Sequence, residues 1–439
     1  MRIIVLIFTF LIGLNSFAQN KQVLYDFAGL PQTLLLNPGL ETDYKFHIGL
    51  PLLSGFSSEI KSTGFSLSEI FSVNNNTIND KISAVLNKID ANDYLKVNTQ
   101  IEVFSAGFRF DKKTYVSFGF YQELDAIGYA PVDALTLINE GNTSYLNKSF
   151  SISEMIFKLD VLGVIHVGIS RKVSDKLTLG GRFKVYSSAL NLETTNNQGT
   201  FTTRLGNNNI YTHYLDNVNL NVRTSIENSL LGGNLGAGID LGFTYHVTPQ
   251  LQFSGSLIDF GFVQHTKNIK NNLIEGSFTF EGIEFEFDSN RNYWQELQAA
   301  SNEQIPIVNN QDAYISWRPA KLNVAIKHSF GEKRSKYCYD NTLKDFYTNA
   351  FGAQLYSVFR PLRQQFALTS FYEKSFSNKL QAKITYTIDD YSYYNIGVGV
   401  SAKIWKINFY GILDNLTKLS DISSANNVSL QFGFNLLFN

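Results

Sequence analysis

Val428-Ser429-Leu430-Gln431-Phe432-Gly433-Phe434-Asn435-Leu436-Leu437-Phe438-Asn439 ends the chain, and these twelve residues decide the fold class. Val428, Leu430, Phe432, Phe434, Leu436 and Phe438 share one face of an extended strand, while Ser429, Gln431, Gly433 and Asn435 share the other. A period of two with one apolar and one polar face marks a β-strand at a boundary between two solvents. A tilted strand needs roughly 9 to 11 residues to cross a bilayer, and this one is long enough. An exported chain that finishes on such a strand, with an aromatic beside its terminus, reads as an outer-membrane β-barrel. Phe432, Phe434, Leu436 and Phe438 then form the lipid-facing side of a terminal assembly strand, and outer-membrane lipid and the barrel-assembly machinery are the expected partners.

The other end of the chain supplies the export signal. Arg2 precedes an apolar run from Ile3 to Leu14, and Ser16-Phe17-Ala18 offers small residues where a signal peptidase cuts. Residues 1–18 are therefore expected to be a signal peptide, because the run is too short for a spanning helix. Cys338 is the only cysteine, which excludes an intrachain disulfide and a lipidated cysteine at the mature N-terminus. Mean hydropathy is near neutral at -0.10, as expected when half of every strand faces a polar lumen. The 36 Phe and 23 Tyr against 8 Pro favour β-structure and could supply aromatic girdles. With 37 basic and 38 acidic residues the chain lacks the basic excess of a nucleic-acid binder.

Working inward, the same alternation recurs. Leu177, Leu179, Phe183 and Val185 alternate with Thr178, Gly180, Arg182 and Lys184, so Arg182 and Lys184 should face the lumen. Val161, Ile165, Val167 and Ile169 precede them across a short polar turn, with His166 on the polar face. Ile239, Leu241, Phe243, Tyr245 and Val247 form another strand, with His246 opposite the apolar face, and Thr248-Pro249-Gln250 turns the chain into Leu251, Phe253 and Leu257. Proline suits a turn because it lacks the N–H that a central ladder needs. The pattern predicts an all-β, antiparallel barrel of about 14 strands, with 12 to 16 as the range and an even number preferred.

Longer polar stretches at 72–93, 130–149, 194–217, 288–312 and 331–345 read mostly as outside loops, since barrels of this kind keep their short turns on the periplasmic side. Ile78, Ile82, Val85, Leu86 and Ile89 recur at helical spacing within the first of them, and Trp294–Ser301 is helix-compatible. Strand parity fails over Thr200–Arg223 and Gly276–Phe287, where one strand cannot be told from two.

No catalytic constellation emerges. His47, His166, His213, His246, His265 and His328 show no pair at metal-binding helical spacing, and no Gly-x-Ser-x-Gly turn is present. His166, Arg182, Lys184 and His246 read as polar lining of a lumen, and no cofactor or metal is called for. Gly236, Gly238 and Gly242 run straight into an alternating strand rather than a helix, which excludes a phosphate-cradling loop and points to close backbone approach in a curved sheet. The reading is non-enzymatic.

Four segments resemble a known group: Leu36-Asn37-Pro38-Gly39, the Asp240–Phe262 hairpin with its Leu257-Ile258-Asp259-Phe260-Gly261-Phe262 ending, Tyr410-Gly411-Ile412-Leu413-Asp414-Asn415, and the terminal strand. In that order they resemble Bacteroidota outer-membrane barrels that carry a domain of unknown function, related to long-chain fatty-acid transporter-like and PorP/SprF-like barrels. In the fatty-acid transporter-like barrels an Asn-Pro-Ala element lies in an N-terminal hatch that plugs the lumen, and Asn37, Pro38 and Gly39 are similar to it. The alternative is an ordinary turn, which Asn-Pro and Pro-Gly form readily. The resemblance implies residues 19–53 as a hatch or a periplasmic lead-in and 54–439 as the barrel. It also implies two functions: passage of small compounds, hydrophobic ones included, through a plugged lumen, or a scaffold for type IX secretion or gliding proteins.

Overall fold

The computed structural model describes residues 21–66, 68–69, 77–153, 155–206, 210–280, 307–332, 347–389, 394–416 and 427–438. The export signal, Trp294–Ser301 and Cys338 lie outside these residues. Fourteen antiparallel strands close into a ring. β1 runs in two pieces, Phe46–Gly49 and Phe56–Ser62; then come β2 (Tyr94–Arg109), β3 (Thr114–Tyr129), β4 (Phe157–Lys172), β5 (Leu177–Leu205), β6 (Asn234–His246) and β7 (Leu251–His265). β8 is again in two pieces, Tyr314–Trp317 and Lys321–Glu332, followed by β9 (Tyr347–Phe359), β10 (Gln364–Ser377), β11 (Leu380–Asp389), β12 (Asn395–Ile404), β13 (Ile407–Leu413) and β14 (Asn427–Phe438). The terminal strand closes the ring on β1 through Phe46↔Phe438 and Phe56↔Phe432. Closure removes sheet edges, the only way a β-structure satisfies its backbone in hydrocarbon. The ring begins at Phe46, so the expected boundary at residues 53/54 falls within β1 rather than ahead of it: Phe46–Ile48 already pairs with both neighbours.

The polarity of this barrel is inverted relative to a soluble protein. Ile165, Val167 and Ile169 of β4 and Phe183 of β5 are about half exposed, while His166, Arg182 and Lys184 beside them are almost wholly buried. On β14, Phe434 faces out and Ser429, Gln431 and Asn435 face in with almost no exposure. Apolar side chains outside and polar ones inside is the arrangement that lipid demands. Among the described residues no helix is long and apolar enough to cross a membrane.

Among the described residues two short α-helices sit between wall strands, α1 (Ile78–Leu86), where helical spacing predicts it, and α2 (Val132–Glu140). The 194–217 stretch is not the polar loop expected. It holds the outer half of β5 and the start of a strand at Tyr211–Ile226, and that strand also pairs with Ile269–Phe280. These strands rise beyond the ring, and a register slip at Asn217 (φ 50°) moves the apolar face from Leu215 to Val218, Leu220 and Val222, so no single alternation runs through them. The 331–345 stretch also departs from the other long connections. Glu332 and Tyr347 are register partners at the end that carries the short turns 110–113, 173–176 and 247–250.

One irregularity redirects a wall strand. The β6–β7 register slips between Leu257 and Phe260, and Asp259 adopts a left-handed conformation (φ 60°). The bulge inverts the parity of β7, so Phe260 and Phe262 face outward after Phe253 does before it, and Asp259 turns into the lumen.

Candidate functional site

Residues 21–45 lie inside the ring, because their partners come from all round its wall. Gln32 donates to Glu102 on β2 at 3.1 Å and exchanges two amide hydrogen bonds with Asn435 on β14 at 2.9 and 3.0 Å. Arg182 on β5 donates to the Leu34 carbonyl at 2.6 Å, Ser256 on β7 to that of Leu36 at 2.6 Å, and Ser170 on β4 to that of Leu40 at 3.0 Å. Lys383 on β11 donates to the Tyr25 carbonyl at 2.7 Å, and Asp26 accepts from Gln252 on β7 at 2.8 Å and Lys327 on β8 at 3.2 Å. Most of these wall groups bind plug carbonyls, the obligatory acceptors that an irregular segment leaves free. The plug forms one short helical turn, Pro31–Leu35, with proline at its start where a missing N–H costs nothing.

Asn37, Pro38 and Gly39 sit where the plug touches the wall most closely. The Asn37 amide nitrogen donates to the Phe243 carbonyl on β6 and to the Tyr25 hydroxyl, both at 3.1 Å, and its oxygen accepts from the Gly39 N–H at 2.8 Å. Burial pushes the Tyr25 hydroxyl up to about 12, so it stays neutral and also pairs with Ser254 at 3.2 Å. Opposite the motif the wall carries two glycines. A β-carbon at Gly180 would stand 2.0 Å from the Pro38 carbonyl oxygen, and one at Gly242 would stand 2.0 Å from the Asn37 side-chain oxygen. Only glycine lets the plug backbone rest directly on the sheet.

Two kinds of surface meet at the plug. Val23, Leu24, Phe27 and Leu30 pack with Tyr410 and Ile412 of β13 in a dry seam, and Leu34, Leu40 and Tyr44 pack with Tyr115 and Leu437. Leu35 packs on a third apolar patch of Tyr121, Leu162, Val164, Tyr186 and Val263, and between these patches the lumen is ionic. Lys184 bridges Asp259 at 2.5 Å and Asp240 at 2.9 Å, and Arg182 meets Asp240 at 3.2 Å. His246 faces Glu41 of the plug at 3.4 Å, whereas His166 lies beside Tyr121 with neither ring nitrogen hydrogen-bonded. Arg182, Lys184 and His246 therefore fall in or beside the plug contacts, and His166 stands apart from them. Phe432, Phe434, Leu436 and Phe438 lie on the outer face of β14, away from this site. At the short-turn end a polar cavity of about 100 Å³ opens between Ala28, Gly29 and Asp43 of the plug and Gln252, Lys327 and Glu373 of the wall. Among the described residues no group of three or more His, Cys, Asp or Glu could hold a metal ion.

Gln32, Asp26, Glu102, Asn435 and Asp240 escape the sequence reading because single polar residues in irregular or alternating segments carry no spacing signal. Gly180 and Gly242 were detectable only as glycines on polar strand faces.

The chain matches a family of unknown function (DUF5723) over residues 38–414. No curated protein matches. Among solved structures it is similar to the toluene transporter TbuX of Ralstonia pickettii, at 13% identity and a TM-score of 0.45, with 98% of this chain and 100% of that chain covered. It is also similar to a FadL homologue of Pseudomonas aeruginosa, at 8% identity and a TM-score of 0.46, with 97% and 99% covered.

Proposed function

We propose a function for this chain, which belongs to the family of unknown function DUF5723: it is a plugged outer-membrane barrel that passes small hydrophobic compounds, with residues 21–45 as the closing element. The observation that carries the reading is the apolar seam between plug and wall within a lumen rich in buried charged and polar groups. Val23, Leu24, Phe27 and Leu30 cover Tyr410 and Ile412, so a shift of the plug uncovers an apolar strip of inner wall that a hydrophobic compound could occupy in its place. Burying such a surface contributes about 25 cal/mol per Å², enough for a compact apolar molecule to compete for the strip. The wall holds the plug mainly through hydrogen bonds to carbonyls and amides, each contributing about 1 kcal/mol net between neutral groups and about 1.5 to 3 kcal/mol where Arg182, Lys327 or Lys383 donates, because water can replace the partner. When the plug moves, Arg182 keeps Asp240, and Lys327 and Lys383 keep Glu373, so the wall cations that lose the plug retain a carboxylate partner.

The protein extracted from outer membranes in mild detergent should carry a stoichiometric hydrophobic molecule detectable by mass spectrometry, and Leu30→Asn should release it. Reproducible recovery of secretion or gliding proteins with no small molecule would instead support the scaffold reading. Absence from the outer-membrane fraction would overturn the location.

A further inference from the structure

Above the plug, toward the long-loop end, the lumen is crossed a second time. Arg360, in the turn between β9 and β10, clamps Asp125 of β3 with two parallel hydrogen bonds of 2.7 and 3.0 Å, and both side chains are buried. β3 and that turn stand on opposite sides of a fourteen-strand ring, so they meet only because the turn folds inward across the mouth. Arg363 of the same turn lies 5.7 Å from the centre of the Tyr94 ring on β2.

A neighbouring set repeats the crossing. Arg318, between the two pieces of β8, reaches Glu123 of β3 at 2.7 Å and Asp160 of β4 at 3.5 Å. Lys158 of β4 donates to Ser316 and to the Trp317 carbonyl, each at 2.7 Å, and Tyr314 donates to Asn191 of β5 at 2.6 Å. None of these groups belongs to the plug.

We infer that this charged seam is a second gate at the long-loop mouth, closed independently of the plug, so that passage requires both to open. The inference rests on the passage reading above. The pairs that cross the mouth are opposite in sign: Glu123, Asp125 and Asp160 of β3 and β4 meet Arg318 and Arg360, while Lys158 of β4 lies beside Asp160 and Glu193 on its own wall. Parting the walls leaves opposed charges that were buried in pairs, and an unpaired buried charge is strongly unfavourable until water reaches it. Opening is therefore coupled to wetting of the mouth, and the open mouth exposes the carboxylates of β3 and β4 opposite the two arginines.

The test is single-channel recording of the full mature chain in planar bilayers, with potassium chloride as the probe and heat-modifiable migration as the check on folding. Gly180→Ala with Gly242→Ala displaces the plug; Asp125→Asn with Arg360→Gln breaks the seam. Each pair alone should conduct no more than the native chain, and all four together at least tenfold more. In the four-site background, replacing the neutral pair by the swapped pair Asp125→Arg and Arg360→Asp should restore closure, which also separates loss of the seam from loss of fold. Full conductance from the glycine pair alone overturns the second gate and leaves passage standing. A silent four-site variant whose plug is displaced overturns the Asp125–Arg360 pair as the gate, and silence that persists when Arg318→Gln is added overturns passage itself.

Discussion

Replacing Gly180 and Gly242 by alanine should push the plug off the wall while leaving the barrel intact. An added β-carbon would stand 2.0 Å from the Pro38 carbonyl oxygen at one site and 2.0 Å from the Asn37 side-chain oxygen at the other. The Pro38 contact is to backbone, so a rotamer change cannot relieve it and the segment 37–39 must withdraw. Overpacking of this kind typically costs about 1 to 3 kcal/mol per site, or roughly 5- to 150-fold in a two-state equilibrium at 1.4 kcal/mol per decade. Withdrawal also loses the Asn37 bond to the Phe243 carbonyl, about 1 kcal/mol more. The assay is the maleimide labelling rate of a cysteine placed at the buried Thr33 of the plug, in a Cys338→Ser background, with each glycine variant in turn. Gly411→Ala is the control, because a β-carbon there meets nothing within 4 Å. The labelling rate should rise at least fivefold for Gly180→Ala and Gly242→Ala and stay unchanged for Gly411→Ala. Equal rates in all three variants, with native heat-modifiable migration, would refute the claim that these glycines seat the plug.

On β14, Phe434→Lys should block assembly, since a lysine facing lipid costs about 2 to 4 kcal/mol near the midplane, whereas Gln431→Lys faces the lumen and should be tolerated; heat-modifiable protein in the outer-membrane fraction distinguishes them. Arg182→Met should free the Leu34 end of the plug at a cost of about 1.5 to 3 kcal/mol, the range for a charged hydrogen bond. Asp240 keeps Lys184 at 2.9 Å, so the Thr33 labelling rate should increase while the melting temperature of the barrel changes little. In α1, Thr77 and Asp80 cap one another reciprocally, and Thr77→Ala should speed amide exchange over residues 78–86. Hydrogen bonds from the Thr77 hydroxyl and N–H hold the Asp80 carboxyl below its ordinary value. The contribution of this cap is complete above the ordinary carboxylate range and is lost as pH falls through the depressed value, so protection in α1, corrected for intrinsic exchange, should weaken only in strong acid.

The wall was legible because each strand must satisfy two solvents at once. Leu179, Phe183 and Val185 against Thr178, Arg182 and Lys184 state which side is lipid without any knowledge of neighbours. Even the number of strands follows, since each needs a membrane's worth of residues. A register slip breaks the signal: in Tyr211–Ile226 the apolar face moves from Leu215 to Val218, Leu220 and Val222 across Asn217. A single residue can also corrupt the parity, as Asp259 does by bulging β7.

The lumen was illegible for a different physical reason. Period two tells which face a residue occupies, but not which residue lies across the barrel from it. Asp125 and Arg360 are far apart in the chain, and each reads alone as one polar residue among many on a strand or in a turn. Their pairing is a consequence of closure: only when β14 meets β1 do β3 and the β9–β10 turn become opposite walls. The same holds for Gln32 and Asn435, one at each end of the chain. A barrel therefore announces its membrane in local pattern and conceals its gates in long-range geometry, and for that reason the charge swap between positions 125 and 360 tests the seam more sharply than loss of either residue. Swapping keeps the composition and the strand patterns and exchanges only which wall carries which sign. Restored closure in the swapped chain would mean that the pairing itself shuts the mouth.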